Sequence, residues 1–200
     1  MGQMTAQDRK TYQRLREMGI LRDVDAHRIP MEQGAILVCC SDGDQFDDVY
    51  ANVAQAVLEH RPNPRIHLQA QPGGALIMPE DSPLNLRSRG LNMVEDVCAG
   101  YGLKGISVVA LYAHVPCGAA TLAGLTLEEV ISLLVRAKLR LKTEALGRGI
   151  PLKVACFLHV DRGHEVKRTY FISAGAWQLL MPRRPSDTEA LKPPTRLTGS

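Results

Sequence analysis

The apolar positions of this 200-residue chain alternate between short continuous runs and longer stretches with helical spacing. A short apolar run is typical of a buried parallel strand, whereas a helical repeat of apolar residues indicates an amphipathic helix. The pattern predicts strands at Ala35–Cys39, Arg65–Ala70, Ile106–Tyr112, Leu152–His159 and Val166–Ile172, and an apolar run at Ala75–Met78. It predicts helices at Ala6–Met18, Asp47–His60 and Ser88–Tyr101, and a long helix that starts at Thr126 and is ended by Gly147 or Gly149. This order predicts an α/β fold with a mainly parallel central β-sheet flanked by helices.

Short sequence motifs specify the start of the long helix and the connection between the last two strands. Thr126 and Glu129 have the spacing of a capping box, which fixes the start of the long helix. Asp161-Arg162-Gly163 separates the last two predicted strands and is typical of a turn, so we expect these strands to form a strand pair or hairpin.

The same pattern divides the chain into three parts. Residues 1–33 are expected to form an N-terminal helical arm, in which Tyr12, Leu15 and Met18 share one side. Residues 34–180 are expected to form the α/β domain. Residues 181–200 contain four prolines and several basic residues with little to bury, which predicts a flexible tail.

Composition narrows the function classes. Apolar residues make up 45% and charged residues 22%, as in ordinary globular proteins. Only 4% of residues are aromatic and the formal charge is +3, so we expect no nucleic-acid partner. No apolar run is long enough to span a bilayer, and Met1–Lys10 is too polar for a signal peptide, so we expect no membrane association and a cytoplasmic location. The five cysteines are an odd number without an export signal, which disfavours disulfides.

Residues with metal-binding chemistry follow two of the predicted strands. Cys40 comes directly after Ala35–Cys39, and His114 and Cys117 follow Ile106–Tyr112. Because the carboxyl ends of parallel strands meet at one edge of a sheet, these side chains are expected to converge there. Two thiolates and one imidazole are suitable zinc ligands, and three protein ligands leave the fourth position of a catalytic site. The sequence therefore predicts one zinc ion, with inert buried residues as the alternative.

The remaining cysteines have a simpler interpretation. Cys39 precedes Cys40 on the strand, so its side chain should point to the opposite face and pack in the core. Cys98 and Cys156 lie among apolar residues and are also expected to be core residues.

Two motifs resemble those of a known family. Cys40-Ser41-Asp42 and His114-Val115-Pro116-Cys117-Gly118 are similar to the Cys-x-Asp-x-Arg and His-x-x-Cys-Gly motifs of the β-class carbonic anhydrases, and the resemblance extends over Ala35–Ile172. The resemblance implies that Cys40, His114 and Cys117 hold Zn²⁺. It also implies that Asp42 either orients the nucleophile and accepts its proton, or is the fourth ligand. Carbon dioxide and bicarbonate would be the substrates, and the protein would be a homodimer or a higher even oligomer whose arm packs on the partner.

One departure from the family motif leaves several functions open. Asp44 stands where the family has an arginine, so Asp42 lacks its usual cation unless Arg65, Arg87 or Arg89 replaces it. The first expectation is a zinc-dependent lyase that hydrates carbon dioxide reversibly, with zinc-bound hydroxide as the nucleophile. The alternatives are a non-catalytic zinc-binding homologue closed by Asp42, or a hydrolase of carbonyl sulfide or carbon disulfide.

Overall fold

The computed structural model describes residues 4–163 and 166–181. Its strands are β1 (Leu21–Asp23), β2 (Ala35–Cys39), β3 (Ile66–Ala70), β4 (Val108–Val115), β5 (Lys153–Asp161) and β6 (Lys167–Ile172). Its α-helices are α1 (Ala6–Glu17), α2 (Gly43–Leu58), α3 (Arg89–Lys104), α4 (Gly118–Leu122), α5 (Leu127–Gly147) and α6 (Ala174–Leu180). Short 3₁₀ turns lie at Ala26–Arg28, Gly74–Ile77 and Leu86–Ser88.

The strands form one sheet in the order β1-β6-β5-β4-β2-β3. Strands β5, β4, β2 and β3 pair in parallel, whereas β6 is antiparallel to β5 and β1 is antiparallel to β6. The predicted α/β fold, with a mainly parallel sheet flanked by helices, is confirmed. The predicted hairpin is confirmed as the β5–β6 pair.

Helices cover both faces of the sheet, and each face has its own apolar core. On one face, Val49, Val53 and Val57 of α2 pack with residues that include Leu37 and Tyr112. On the other face, α1, α3 and α5 pack against the sheet in a larger cluster that includes residues such as Leu111. Burial of the sheet on both faces explains why its central strands are apolar almost throughout.

The boundaries of two helices follow from their caps. Thr126 and Glu129 form the predicted capping box, and α5 begins immediately after it. Helix α2 begins earlier than predicted, at Gly43, because the side chain of Asp42 accepts a hydrogen bond from the N–H of Asp44 and caps the helix. This cap brings the start of α2 next to the candidate metal ligands.

The N-terminal segment packs against the rest of its own chain. Leu15 of α1 is fully buried, and the hydroxyl groups of Tyr12 and Tyr170 are 2.5 Å apart. The segment 1–33 also supplies β1, which pairs with β6 at the edge of the sheet. Tyr12 and Leu15 therefore have packing partners within their own chain. The division into arm, domain and tail stays a prediction, and the tail after residue 181 lies outside the described residues.

Within the part of the chain that the structure describes, no helix is long and apolar enough to cross a membrane.

Candidate metal centre

The three candidate ligands are supplied by two neighbouring strands. Cys40 follows β2 directly, His114 lies near the end of β4, and Cys117 is the residue before α4. Because β2 and β4 are adjacent and parallel, both sequence motifs reach the same edge of the sheet. Along β4, His114 shares its face with Tyr112, so the imidazole approaches the site from the α2 side of the sheet.

The ligand atoms of these residues converge. The two Sγ atoms and a ring nitrogen of His114 all lie within 4.8 Å of one another. Ligand atoms around one tetrahedral zinc ion are about 3.3–3.8 Å apart, given Zn–S and Zn–N bonds of about 2.3 and 2.0 Å. A small inward movement of the side chains would therefore bring all three into a zinc coordination sphere.

The environment of His114 also fits a metal. Its ring is 3% exposed, and neither nitrogen has a hydrogen-bond partner among the described residues. A buried polar nitrogen without a partner is costly, because it has lost water and gained nothing in return. Coordination of an ion by one of these nitrogens would remove that cost for it.

The thiols of Cys40 and Cys117 are coupled through a hydrogen bond, which shifts their pKa values in opposite directions. The hydrogen bond from Cys117 lowers the pKa of the Cys40 thiol to about 4, and the His114 ring and the N–H of Gly73 act in the same direction against the effect of burial. The same hydrogen bond, together with burial, raises the pKa of Cys117. These opposite directions favour the thiolate form at Cys40, which is the form that binds metals.

A glycine turn lies directly behind Cys40. The N–H of Gly73 donates to Sγ of Cys40 at 3.3 Å. Gly73 and Gly74 both have positive φ, at 86° and 51°. A Cβ on Gly74 would lie 2.5 Å from the backbone nitrogen of Cys40, so only glycine allows the two chain segments to approach this closely. The apolar run predicted at Ala75–Met78 begins from this turn as a short 3₁₀ helix.

Asp42 lies beside the three ligands. Its Oδ1 accepts the hydrogen bond from Asp44 at 3.0 Å, and its Oδ2 is 3.8 Å from Nε2 of His114. The side chain is 31% exposed, so solvent reaches it. This position is compatible with either role expected for Asp42, as a proton acceptor next to the metal or as a fourth ligand.

None of the candidate arginines contacts Asp42. Arg65 donates to the backbone oxygens of Gln33 and Lys104, at the other end of β3. Arg89 donates to the side chain of Gln71. Among the described side chains, no arginine or lysine forms a hydrogen bond or ion pair with Asp42. The arginine of the motif that the sequence resembles therefore has no counterpart that is hydrogen-bonded or ion-paired to Asp42 among the described side chains.

The structure adds a buried histidine that sequence reasoning missed. His159 pairs in register with His114 on the neighbouring strand and is 3% exposed. Its Nδ1 is 3.0 Å from the hydroxyl oxygen of Thr169, while its Nε2 has no partner among the described residues. Burial lowers the pKa of His159. No motif or spacing indicates this placement, because only the register of β4 and β5 brings the two histidines side by side.

The other cysteines are where the sequence predicted them. Cys39 packs in the core on the α2 side of the sheet, and burial raises its pKa to about 12. Cys98 and Cys156 are buried in the larger core. All five cysteines are free thiols.

Comparison with known proteins finds solved structures with a similar fold but no similar sequence. No protein-family model and no curated protein sequence matches the chain. Its structure is similar to that of the wild-type β-carbonic anhydrase CafD of Aspergillus fumigatus, with 14% identity, coverage of 76% of this chain and 98% of that chain, and a TM-score of 0.45. It is also similar to the β-carbonic anhydrase isoform I of Trichomonas vaginalis, with 14% identity, coverage of 84% and 99%, and a TM-score of 0.42.

Proposed function

We propose that this chain binds one zinc ion through Cys40, His114 and Cys117 and catalyses the reversible hydration of carbon dioxide to bicarbonate. The observation that carries the proposal is the convergence of these three side chains, within 4.8 Å of one another, at the carboxyl edge of a parallel sheet. The choice of carbon dioxide hydration as the reaction rests on the resemblance of their motifs to those of the β-class carbonic anhydrases.

The donor set favours a catalytic zinc site over a structural one. Two thiolates balance the charge of a Zn²⁺ ion, and the neutral imidazole completes three protein ligands. The fourth position is left for water or substrate, and zinc bound there would lower the pKa of a water molecule to about 7. Cys40 and Asp42 are both partly exposed, so a small substrate approaches from their side of the site.

Asp42 has the geometry to assist this reaction. Its Oδ1 is occupied by the N–H of Asp44, which fixes the orientation of the carboxylate. Its Oδ2 faces the ligand cluster and is free to accept a proton or to hold a nucleophile by a hydrogen bond. Asp42 is therefore proposed as the catalytic residue.

The distance between Asp42 and His114 also supports a second form of the site, in which Asp42 is the fourth zinc ligand. Oδ2 of Asp42 is 3.8 Å from Nε2 of His114, and no cation among the described side chains holds the carboxylate away. A carboxylate in this position would reach the fourth coordination site with a small rotation. The protein would then be a non-catalytic zinc-binding homologue.

One preparation tests these alternatives. The purified chain should contain about one zinc per molecule, and stopped-flow measurement should detect hydration of carbon dioxide. The same sample is assayed with carbonyl sulfide and carbon disulfide, because the donor set alone does not choose among these substrates. Zinc without any of the three activities would support the closed form, and absence of zinc would overturn the site.

A homodimer or higher even oligomer forms part of the same proposal and is supported by the resemblance. Light scattering of the full chain at micromolar concentration tests the oligomer, and a monomer would contradict it.

A further inference from the structure

We propose that Arg89 is a positioning residue for the metal centre, which acts through Gln71 and the adjoining glycine turn on the sulfur of Cys40. This inference rests on the zinc site proposed above. It concerns a residue that lies outside both ligand motifs.

Arg89 holds one oxygen atom with two hydrogen bonds. Its Nε and Nη2 donate to Oε1 of Gln71 at 3.0 and 2.8 Å. Hydrogen bonds from a guanidinium group are charge-assisted, and two donors on a rigid fork fix the direction of the acceptor. Arg89 is the first residue of α3, so the contact ties the start of this helix to the segment that follows β3.

The backbone of Gln71 spans the position of Cys40. The N–H of Gln71 donates to the carbonyl oxygen of Cys39 at 3.3 Å, and its carbonyl oxygen accepts from the N–H of Ser41 at 3.2 Å. The same carbonyl accepts from the N–H of Gly74 at 2.7 Å. The backbone of Gln71 thus holds Cys39 and Ser41, the residues on either side of Cys40. It also holds the Gly73-Gly74 turn, which contains the hydrogen-bond donor to the sulfur of Cys40.

That donor is the N–H of Gly73, 3.3 Å from Sγ of Cys40. Hydrogen bonds to a metal ligand orient it and tune its donor strength, so a shift of this turn should change metal affinity. The turn has little room to absorb a shift. A Cβ on Gly90, at the start of α3, would lie 2.2 Å from the carbonyl oxygen of Ile77, and one on Gly74 would lie 2.5 Å from the backbone of Cys40. Displacement of α3 or Gln71 should therefore be passed on to the sulfur.

The test measures zinc affinity of the full chain by competition with a chromophoric chelator. Arg89→Met and Gln71→Met should each weaken zinc binding about tenfold, since loss of an outer partner of a metal ligand typically costs about 10–100-fold. If Arg89 acts through Gln71, the double variant should lose no more than either single variant. Gln71→Glu keeps an oxygen for the guanidinium group and should keep the parent affinity.

Arg65→Met is the matched control. Arg65 also joins β3 to its neighbours, through the backbone oxygens of Gln33 and Lys104, but at the end of the strand far from the site. Its loss should leave zinc affinity within about twofold of the parent. The Co²⁺-substituted proteins give a second readout, because the thiolate-to-cobalt absorption band should shift in Arg89→Met and stay in place in Arg65→Met.

Several results would overturn the proposal. If the parent binds zinc and Arg89→Met binds it equally well, Arg89 has no positioning role, while the metal site itself stands. Equal losses in Arg89→Met and Arg65→Met would show a general effect on folding, and multiplied losses in the double variant would remove the route through Gln71. A parent that binds no zinc would overturn the site and this inference together.

Discussion

Oδ2 of Asp42 lies 3.8 Å from Nε2 of His114, while Oδ1 of the same carboxylate is held by the N–H of Asp44 at 3.0 Å. One oxygen is therefore fixed by the first turn of α2, and the other lies near His114, one of the candidate metal ligands. The helix cap orients this carboxylate where the β-class motif would use an arginine. In the proposed zinc site, the position of Asp42 would consequently distinguish an open site from a closed one.

Substitution of Asp42 by Asn isolates its chemistry from its structural role. Asn caps a helix as well as Asp does, so the fold should be retained. In an open site Asp42→Asn should lower kcat/KM for carbon dioxide hydration by about a hundredfold or more, as expected when a proton acceptor is lost. In a closed site the parent is nearly inactive, and the variant has little activity to lose.

Asp44→Arg is the complementary change at the same cap. An arginine there can form two charge-assisted hydrogen bonds to Asp42 and draw it away from the zinc, so turnover should rise in a closed site. Asp44→Gln is the control, because it removes the negative charge without adding the fork of donors. Hydration rates are compared at matched zinc content. Equal and substantial rates in the parent, Asp42→Asn and Asp44→Arg would exclude a role for Asp42.

Loss of a ligand should release zinc. His114→Ala and Cys117→Ser should each bind far less than one equivalent of zinc and should melt at a lower temperature, since metal binding and folding are coupled. Cys98→Ser is the control, because Cys98 is buried in the core and is not one of the three clustered residues. Metal analysis by plasma spectrometry checks the outcome. Full zinc retention in both ligand variants would contradict the site.

Metal-free protein should react at Cys40 at unusually low pH. A thiol with a pKa of about 4 is ionised at about pH 6, so its alkylation by iodoacetamide should change little from there to about pH 8. An ordinary thiol, with a pKa of about 8.5, would react about tenfold faster with each pH unit in this range. Mass spectrometry of the alkylated peptides identifies Cys40, and Cys39 serves as the buried comparison. Zinc should protect Cys40, and a rate that climbs tenfold per unit would refute its lowered pKa.

Truncation of Leu15 should destabilise the single chain. Leu15 is fully buried, so Leu15→Ala should lower the free energy of unfolding by about 2–5 kcal/mol. Met18 follows the same helix and is 46% exposed. Met18→Ala should change the free energy by less than about 0.5 kcal/mol. Urea unfolding at two protein concentrations checks both values. A Leu15 effect that grows with concentration would instead place the arm in the interface of a dimer.

The sequence determined the parts of this protein that depend on local pattern. Apolar runs identified the central strands, and the capping box at Thr126 and Glu129 fixed the start of α5. Because ligands in such folds gather beyond the carboxyl ends of parallel strands, Cys40, His114 and Cys117 could be placed together before any contact was known.

Tertiary structure alone decided the parts that depend on register and long-range packing. The pairing of Leu21–Asp23 with β6 joins residues far apart in the chain, and a three-residue strand carries too little pattern to be recognised. The two hydrogen bonds from the guanidinium group of Arg89 to Gln71 depend on where α3 begins relative to β3. The placement of His159 beside His114 follows from the register of β4 and β5, which side-chain alternation within one strand cannot specify.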